Sequence, residues 1–71
     1  MKIFYFNDDK VDVTVRVVDR EGTNTITTLS PLKTQMFEFY APEGAIPYVK
    51  RWSNNIVLLS YISAPASSTD T

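Results

Sequence analysis

The stretch VDVTVRVVDREGTNTITTL, residues 11–29, decides the fold of this chain. Its first half alternates polar residues with four valines, at Val11, Val13, Val15 and Val17. A period of two is typical of a β-strand with one apolar face, because successive side chains of a strand point to opposite sides. Residues 19–22 supply turn chemistry, and Gly22 can take the positive φ that closes a short hairpin loop. The Thr-rich run 23–29 then returns, so the stretch predicts a β-hairpin whose second strand lies towards an edge.

Four further runs outside the hairpin have strand character: 3–6, 36–40, 48–52 and 56–62. Phe37 and Phe39 share one face of their run, and we expect them to meet the valine row, since aromatic and β-branched pairs stabilise adjacent strands. The nearly continuous apolar run 56–62 predicts a central strand that is covered on both faces. The apolar run 3–6 predicts a strand that is covered on both faces or lies against a neighbouring chain.

These runs predict an all-β fold: five or six short antiparallel strands in a small sandwich or partly open barrel, with an extended C-terminal tail. Strand starts near residues 2, 11, 23, 35, 48 and 56 have the spacing of such folds. Residues 1–62 are expected to form one β domain, and residues 63–71 (SAPASSTDT) a polar tail. Seven residues are predicted to form the core: Val13, Val15, Val17, Phe37, Phe39, Val57 and Leu59.

The length and composition favour association with another protein. A chain of 71 residues buries only about 60% of its unfolded surface, so its core is small. It has neither cysteine nor histidine, which removes disulfides and the commonest zinc ligands. Its nine aromatic residues, four Phe, four Tyr and one Trp, exceed what a thin sandwich can hide. We therefore expect a protein partner, with the chain as a homo-oligomer or in many copies on a larger assembly.

The charge and hydropathy give no indication of a nucleic-acid or membrane partner. The formal net charge is only −1, so no strong field attracts nucleic acid or anionic lipid. No apolar run approaches the roughly 18 residues of a membrane helix. The apolar start of the chain is too short for a signal sequence, because Asn7 and the two aspartates after it end the run.

Catalysis is not expected, because the chain has no His or Cys to act as nucleophile or base. A hydrolase with two carboxylates needs them held in a cleft, which so small a sandwich rarely forms. We predict no catalytic residue and no cofactor.

A cluster of oxygen ligands lies between the first two strands, at Asn7, Asp8, Asp9 and Asp12. Calcium takes six to eight oxygen ligands, so such a cluster can begin a calcium site. The spacing lacks the glycine and the terminal glutamate of an EF-hand, and Asx residues are ordinary turn residues. We predict a turn here and no metal site.

Two surface patterns leave alternatives open. Lys50, Arg51 and Trp52, with Tyr48 nearby, interleave basic and aromatic groups as single-strand nucleic-acid surfaces do. Alternatively, the Lys50 and Arg51 side chains lie over the strand while Trp52 packs. A third alternative is that Arg51 and Trp52 are the anchors of a protein interface. The polar residues of the hairpin (Thr14, Arg16, Thr23, Thr25 and Thr27) can be drawn as one carbohydrate-binding or ice-binding face. They have no regular repeat, so an ordinary solvated or edge face is expected.

The expected protein interface combines both ends of the chain with the aromatic and basic cluster. The run 3–6 cannot cover both its faces within one thin sheet, and an ordered polar tail needs a groove or strand edge to supply hydrogen bonds. The hypothesised interface residues are Ile3, Phe4, Tyr5, Phe6, Tyr48, Arg51, Trp52, Ser63, Ala64 and Pro65.

The order of these elements over residues 11–62 resembles the short head-decoration or cement proteins of tailed bacteriophages. The resemblance lies in V-x-V-x-V, a turn, a Thr-rich strand, an L-S-P-L turn, an F-x-F strand and a P-x-G loop. It implies a non-enzymatic virion component that sits on a capsid shell in many copies. It carries over no functional residue, because it includes no diagnostic motif. The alternative is a small regulatory or host-directed protein-binding module, for which we expect a cytoplasmic location.

Overall fold

The computed structural model describes residues 1–53 and 55–63 and contains six strands there. They are β1 (Lys2–Phe6), β2 (Val13–Val18), β3 (Asn24–Leu29), β4 (Thr34–Glu38), β5 (Ile46–Ser53) and β6 (Ile56–Ile62). No helix occurs in this described part, and the predicted all-β class is confirmed. Among these residues, then, there is no helix long and apolar enough to cross a membrane. The predicted tail, apart from Ser63, lies outside the described residues.

The six strands form two sheets that pack as a small sandwich. One sheet has four strands in the order β3-β2-β6-β5, and the other, here called the ribbon, consists of β1 and β4. Three pairs are antiparallel, as predicted, but β2 and β6 run parallel, so the prediction of a wholly antiparallel fold is wrong. Parallel neighbours require a long crossover connection, and β3, β4 and β5 all lie within the connection between β2 and β6.

The predicted hairpin is confirmed, with strands β2 and β3 joined by a tight turn. The Asp19 amide donates to the Thr23 carbonyl at 3.3 Å, and the Gly22 amide donates to the Asp19 carbonyl at 3.0 Å. Gly22 has a φ of 80°, the left-handed conformation that glycine adopts without steric cost. Strand β2 begins at Val13, however, so Val11 does not belong to the valine strand. Its carbonyl accepts a hydrogen bond from the Asn7 side chain at 2.9 Å, within the loop that precedes β2.

The core lies between the ribbon and the valine side of the four-stranded sheet. All seven predicted core residues are buried, which confirms the predicted strand parity. Two further apolar residues join the cluster, Ile3 from β1 and Leu29 from β3. In β6, Val57 lies opposite Val15 and Leu59 opposite Val17, so the last strand extends the valine row.

Cover on both faces is wrong for β6 and, as the first of the two alternatives predicted, for β1, because the described strands form only two layers. Strand β6 is central in its sheet, but only its inward residues are buried, and Ile56 and Ile62 on the other side are exposed. In β1, Ile3 points inward while Phe4 is 72% exposed. Each of these strands therefore leaves an apolar row outside the core.

The predicted single polar face of the hairpin is also wrong. Thr27 lies opposite Val15 and Thr25 opposite Val17, so these threonines share the valine side of the sheet. Arg16 instead lies opposite Ile26, on the outward side. The length of the connection between β2 and β3, residues 19–23, sets this register, which a count of alternating residues within one strand does not reveal.

Asn7 is a buried polar residue that joins three segments of the chain. Its Nδ2 donates to the carbonyls of Val11, at 2.9 Å, and Leu29, at 3.0 Å. Its Oδ1 accepts from the Asp9 amide at 3.0 Å, which is the Asx-turn that the sequence predicts here. The Asn7 side chain therefore fixes the entry to β2 against the end of β3.

Candidate protein-binding surfaces

The outward side of the four-stranded sheet, here called the broad face, is formed by the residues that alternate with the core residues. Arg16 of β2 lies opposite Ile26 of β3 and Leu58 of β6, so these three side chains share one side. Lys50 of β5 lies opposite Leu58 and extends the row to the other edge. The large apolar side chains of the broad face are exposed except for a half-buried Leu58: Ile26, Ile46, Trp52, Ile56, Leu58 and Ile62.

The broad face carries cations and no carboxylates. Its charged residues are Arg16 and Lys50, and the strands β2, β3, β5 and β6 contain no Asp or Glu. The Arg16 guanidinium lies 5.6 Å from the centre of the Trp52 ring, within cation–π range. The face therefore presents apolar area with a positive charge held over its one tryptophan.

The predicted cluster of basic and aromatic residues is divided between the two sides of β5. Tyr48 pairs with Ser60 and Lys50 with Leu58, which places both on the broad face. Arg51 pairs with Val57 and so lies on the inward side. Neighbouring residues of a strand cannot act together on one surface, because their side chains alternate between its two sides.

Arg51 holds the loop after β1 against the edge strand β5. Its Nη2 lies 3.0 Å from Asp9 Oδ2 and its Nη1 lies 3.9 Å from Asp8 Oδ1. Its Nε donates to the Ser53 carbonyl at 3.3 Å. Arg51 is thus engaged within the chain, although the sequence predicts it as part of a protein interface.

The outward side of the ribbon, here called the ribbon face, is a second exposed apolar surface. Its three rows are direct cross-strand pairs, Lys2 with Glu38, Phe4 with Met36 and Phe6 with Thr34. Phe4 is 72% exposed, Phe6 49% and Met36 40%. From the predicted interface run 3–6, Phe4 and Phe6 lie on this surface, whereas Ile3 is buried and Tyr5 is half-buried against the core.

Several surface residues were missed by the sequence analysis, which did not assign Ile26, Met36, Ile56 or Ile62 to an interface. Ile26 is an apolar residue within the Thr-rich run 23–29, and Ile62 ends the run for which the sequence predicts cover on both faces. The signal that could have found them is the hairpin register. Once Val13 faces Leu29, every second residue of β3 must join Arg16 on the outward side.

Two surface hollows of about 430 and 210 Å³ lie beside the end of the ribbon, around Glu38, Phe39 and Tyr40. The smaller one also includes Asp19, whose Oδ1 accepts hydrogen bonds from the amides of Glu21 and Thr23, both at 2.9 Å. That carboxylate is therefore part of the hairpin turn. Within residues 1–53 and 55–63, no three acidic side chains come together in a group that could hold a metal ion.

Comparison with protein families, with curated proteins and with solved structures gave no match to this chain.

Proposed function

We propose that this chain is a non-enzymatic structural protein that binds a larger protein assembly through its broad face. The most specific form of the proposal is a capsid cement or decoration protein of a bacteriophage, present in many copies on the shell. The observation that carries it is the uncovered apolar side of the four-stranded sheet. Four isoleucines and Trp52 on that side are each 39–61% exposed.

An exposed apolar face of this kind favours docking because its burial removes apolar area from water. Each Å² of apolar surface so buried contributes roughly 25 cal/mol. Soluble monomers rarely expose large contiguous apolar patches without a partner. Tryptophan and arginine are also enriched among the residues that dominate protein interfaces, and here Arg16 lies against Trp52.

The charges of the broad face indicate the chemistry of its partner. Arg16 and Lys50 have no acidic neighbour within the four strands, so a complementary surface is apolar with carboxylates at the matching positions. The strands of a second broad face contain no carboxylate to pair with these cations. The fitting partner is therefore a different protein.

A single-stranded nucleic acid is the competing partner, because Tyr48, Trp52 and two cations share this face. Nucleic-acid affinity depends on releasing counterions from several phosphates, and two cations release few. The isoleucines also provide no aromatic ring on which a base can stack. Protein binding uses the whole face, whereas nucleic-acid binding uses only part of it.

The test is sedimentation of the purified chain with particles isolated from the lysate of its source. The wild-type chain should sediment with the particles, and Ile26→Ser or Trp52→Ser should lower the affinity at least tenfold, as loss of an interface anchor does. Tyr40→Ser is the matched control, since Tyr40 is 71% exposed and lies outside the broad face. Melting curves establish that each variant is folded.

Three other results would contradict the proposal. If the wild-type chain stays in the supernatant, the particle is not its partner. If the chain then coelutes with a single small protein, the result supports the regulatory or host-directed module instead. Broad-face variants that bind as well as Tyr40→Ser place the contact elsewhere. Salt-sensitive binding to an oligothymidine probe that Trp52→Ser abolishes supports nucleic acid.

A further inference from the structure

We propose that the ribbon face is a self-complementary surface through which two copies of this chain pack against each other. This goes beyond the proposed function, because it concerns the isolated chain and requires no shell. It rests on the pairing of Lys2 with Glu38 and of Phe4 with Met36 across β1 and β4.

The register brings the two side chains of each pair close together on the ribbon face. The Phe39 amide donates to the Met1 carbonyl at 3.0 Å, which makes residues 1 and 39 a hydrogen-bonded pair. Such pairs alternate with non-hydrogen-bonded pairs in an antiparallel ladder, so Lys2–Glu38 and Phe4–Met36 belong to the second kind. Side chains approach most closely in these pairs.

A two-fold axis that runs along the strands, between two stacked ribbons, brings complementary groups together. This operation lays β1 of one copy over β4 of the other without shifting either along its length. Lys2 then faces Glu38 of the second copy, and Phe4 faces Met36 of the second copy. Each contact occurs twice, as a closed symmetric interface requires.

The charges distinguish the ribbon face from the broad face as a surface for self-association. The ribbon face carries one cation and one carboxylate side by side. The two-fold axis therefore places the cation of one copy opposite the carboxylate of the other. Among the described residues, Lys2 and Glu38 form no ion pair within 4.0 Å, and the ion pairs found involve Arg51. Both charged groups are therefore available to a second copy.

The area of the ribbon face indicates a weak dimer. A phenylalanine contributes about 150–250 Å² when buried, and Phe4 and Phe6 are 72% and 49% exposed. Together with Met36 and the charged rim they approach only the lower range of specific interfaces, about 600 Å² per partner. We expect dissociation constants in the micromolar to millimolar range. In a crowded array, the local concentration of copies would readily exceed such a dissociation constant.

The test is sedimentation equilibrium of the full chain from about 10 µM to about 1 mM, the range of weak interfaces. The wild-type chain should show a reversible monomer–dimer equilibrium. Lys2→Glu and Glu38→Lys should each weaken it at least tenfold, because like charges then meet across the two-fold axis. An equimolar mixture of the two variants should associate again, since an acidic ribbon face then meets a basic one. Glu43→Lys, a charge reversal at an exposed residue of the loop between β4 and β5, is the control that should leave the equilibrium unchanged.

Association in the mixture shows that each single variant fails to associate because of its charge and not because it is misfolded. Melting curves at low concentration provide a second check. A wild-type chain that remains monomeric throughout the range overturns the proposal. So does association that persists in both single variants, or a mixture of folded variants that stays monomeric. No particle is present in this experiment, so its failure leaves the proposed docking of the broad face to be judged by its own test.

Discussion

At the scale of single residues, Asn7 shows how one buried amide can determine where three segments meet. In addition to its side-chain hydrogen bonds, its backbone amide donates to the Lys33 carbonyl at 2.9 Å. Its backbone carbonyl accepts from the Leu32 amide at 2.8 Å. Both backbone groups and both side-chain polar atoms therefore have partners, which is what full burial of an asparagine requires.

We expect Asn7→Ala to lower the free energy of unfolding by about 1–3 kcal/mol, because the Val11 and Leu29 carbonyls lose their donor. Denaturant melts measure this directly. Asp8→Ala is the control. The Asp8 side chain is 73% exposed and its oxygen lies as far as 3.9 Å from Arg51, so the free energy of unfolding should fall by less than about 0.5 kcal/mol. Equal losses for the two variants would mean that the buried amide contributes nothing specific.

Leu32 is a second residue whose local geometry has an energetic consequence. It has a φ of 60° in the turn that the Lys33 amide closes onto the Ser30 carbonyl at 3.3 Å. Positive φ is unfavourable for leucine, and asparagine tolerates it better. The Leu32 side chain is also 68% exposed, so its removal sacrifices little packing.

Leu32→Asn should therefore raise the free energy of unfolding by up to about 1 kcal/mol. Leu32→Val should lower it, because a β-branched side chain is the least suited to positive φ. The two variants differ in sign, so thermal melts of both distinguish backbone strain from a general effect of losing the leucine. A stabilising valine would contradict the strained conformation.

At the scale of elements, β6 shows how a nearly continuous apolar strand divides into two functions. Leu59 is fully buried opposite Val17, whereas Leu58, its neighbour, is half-buried on the broad face. The strand supplies the core with one side and the proposed docking surface with the other. Its hydropathy alone predicts two covered sides, because hydropathy does not report how many layers the fold has.

Leu59→Ala should cost about 2–5 kcal/mol, a large part of the stability of so small a domain. Leu58→Ala is the matched control, with the same atoms removed from the same strand, and should cost less than half as much. Denaturant melts in dilute solution, where the proposed partner and second copy are absent, provide the comparison. A larger loss for Leu58→Ala would reverse the assignment of the inward and outward sides.

At the scale of the whole molecule, local patterns predicted the parts of the fold that depend on neighbours in sequence. The alternation from Val13 to Val17 and the turn residues around Gly22 were sufficient for the hairpin and for the core side of β2. The parallel pairing of β2 with β6 was not predictable in this way, because it joins segments about 40 residues apart. The burial of Asn7 was missed for the same reason, since its partners Leu29, Leu32 and Lys33 are more than 20 positions away in sequence.

The candidate surfaces were predicted in part. Phe4, Phe6, Tyr48 and Trp52 could be selected as large aromatic residues in excess of what the core can hold. Arg51 was selected with them, because the carboxylates that bind it are more than 40 positions away in sequence. Ile26 was not selected, since its exposure depends on the pairing of two strands and not on its own neighbours.

The position of β6 also has a consequence for how the chain is made. The last strand lies between β2 and β5, so the four-stranded sheet cannot close until residues 56–62 have left the ribosome. At roughly 5–20 residues per second, several seconds separate the emergence of β2 from that of β6. Throughout that interval the valine strand has an unpaired edge, and it can pair with any extended segment nearby. Ribosomes that translate one messenger close together would bring such edges into each other's reach, so the time for which this edge stays unpaired bears directly on the yield of correctly folded protein.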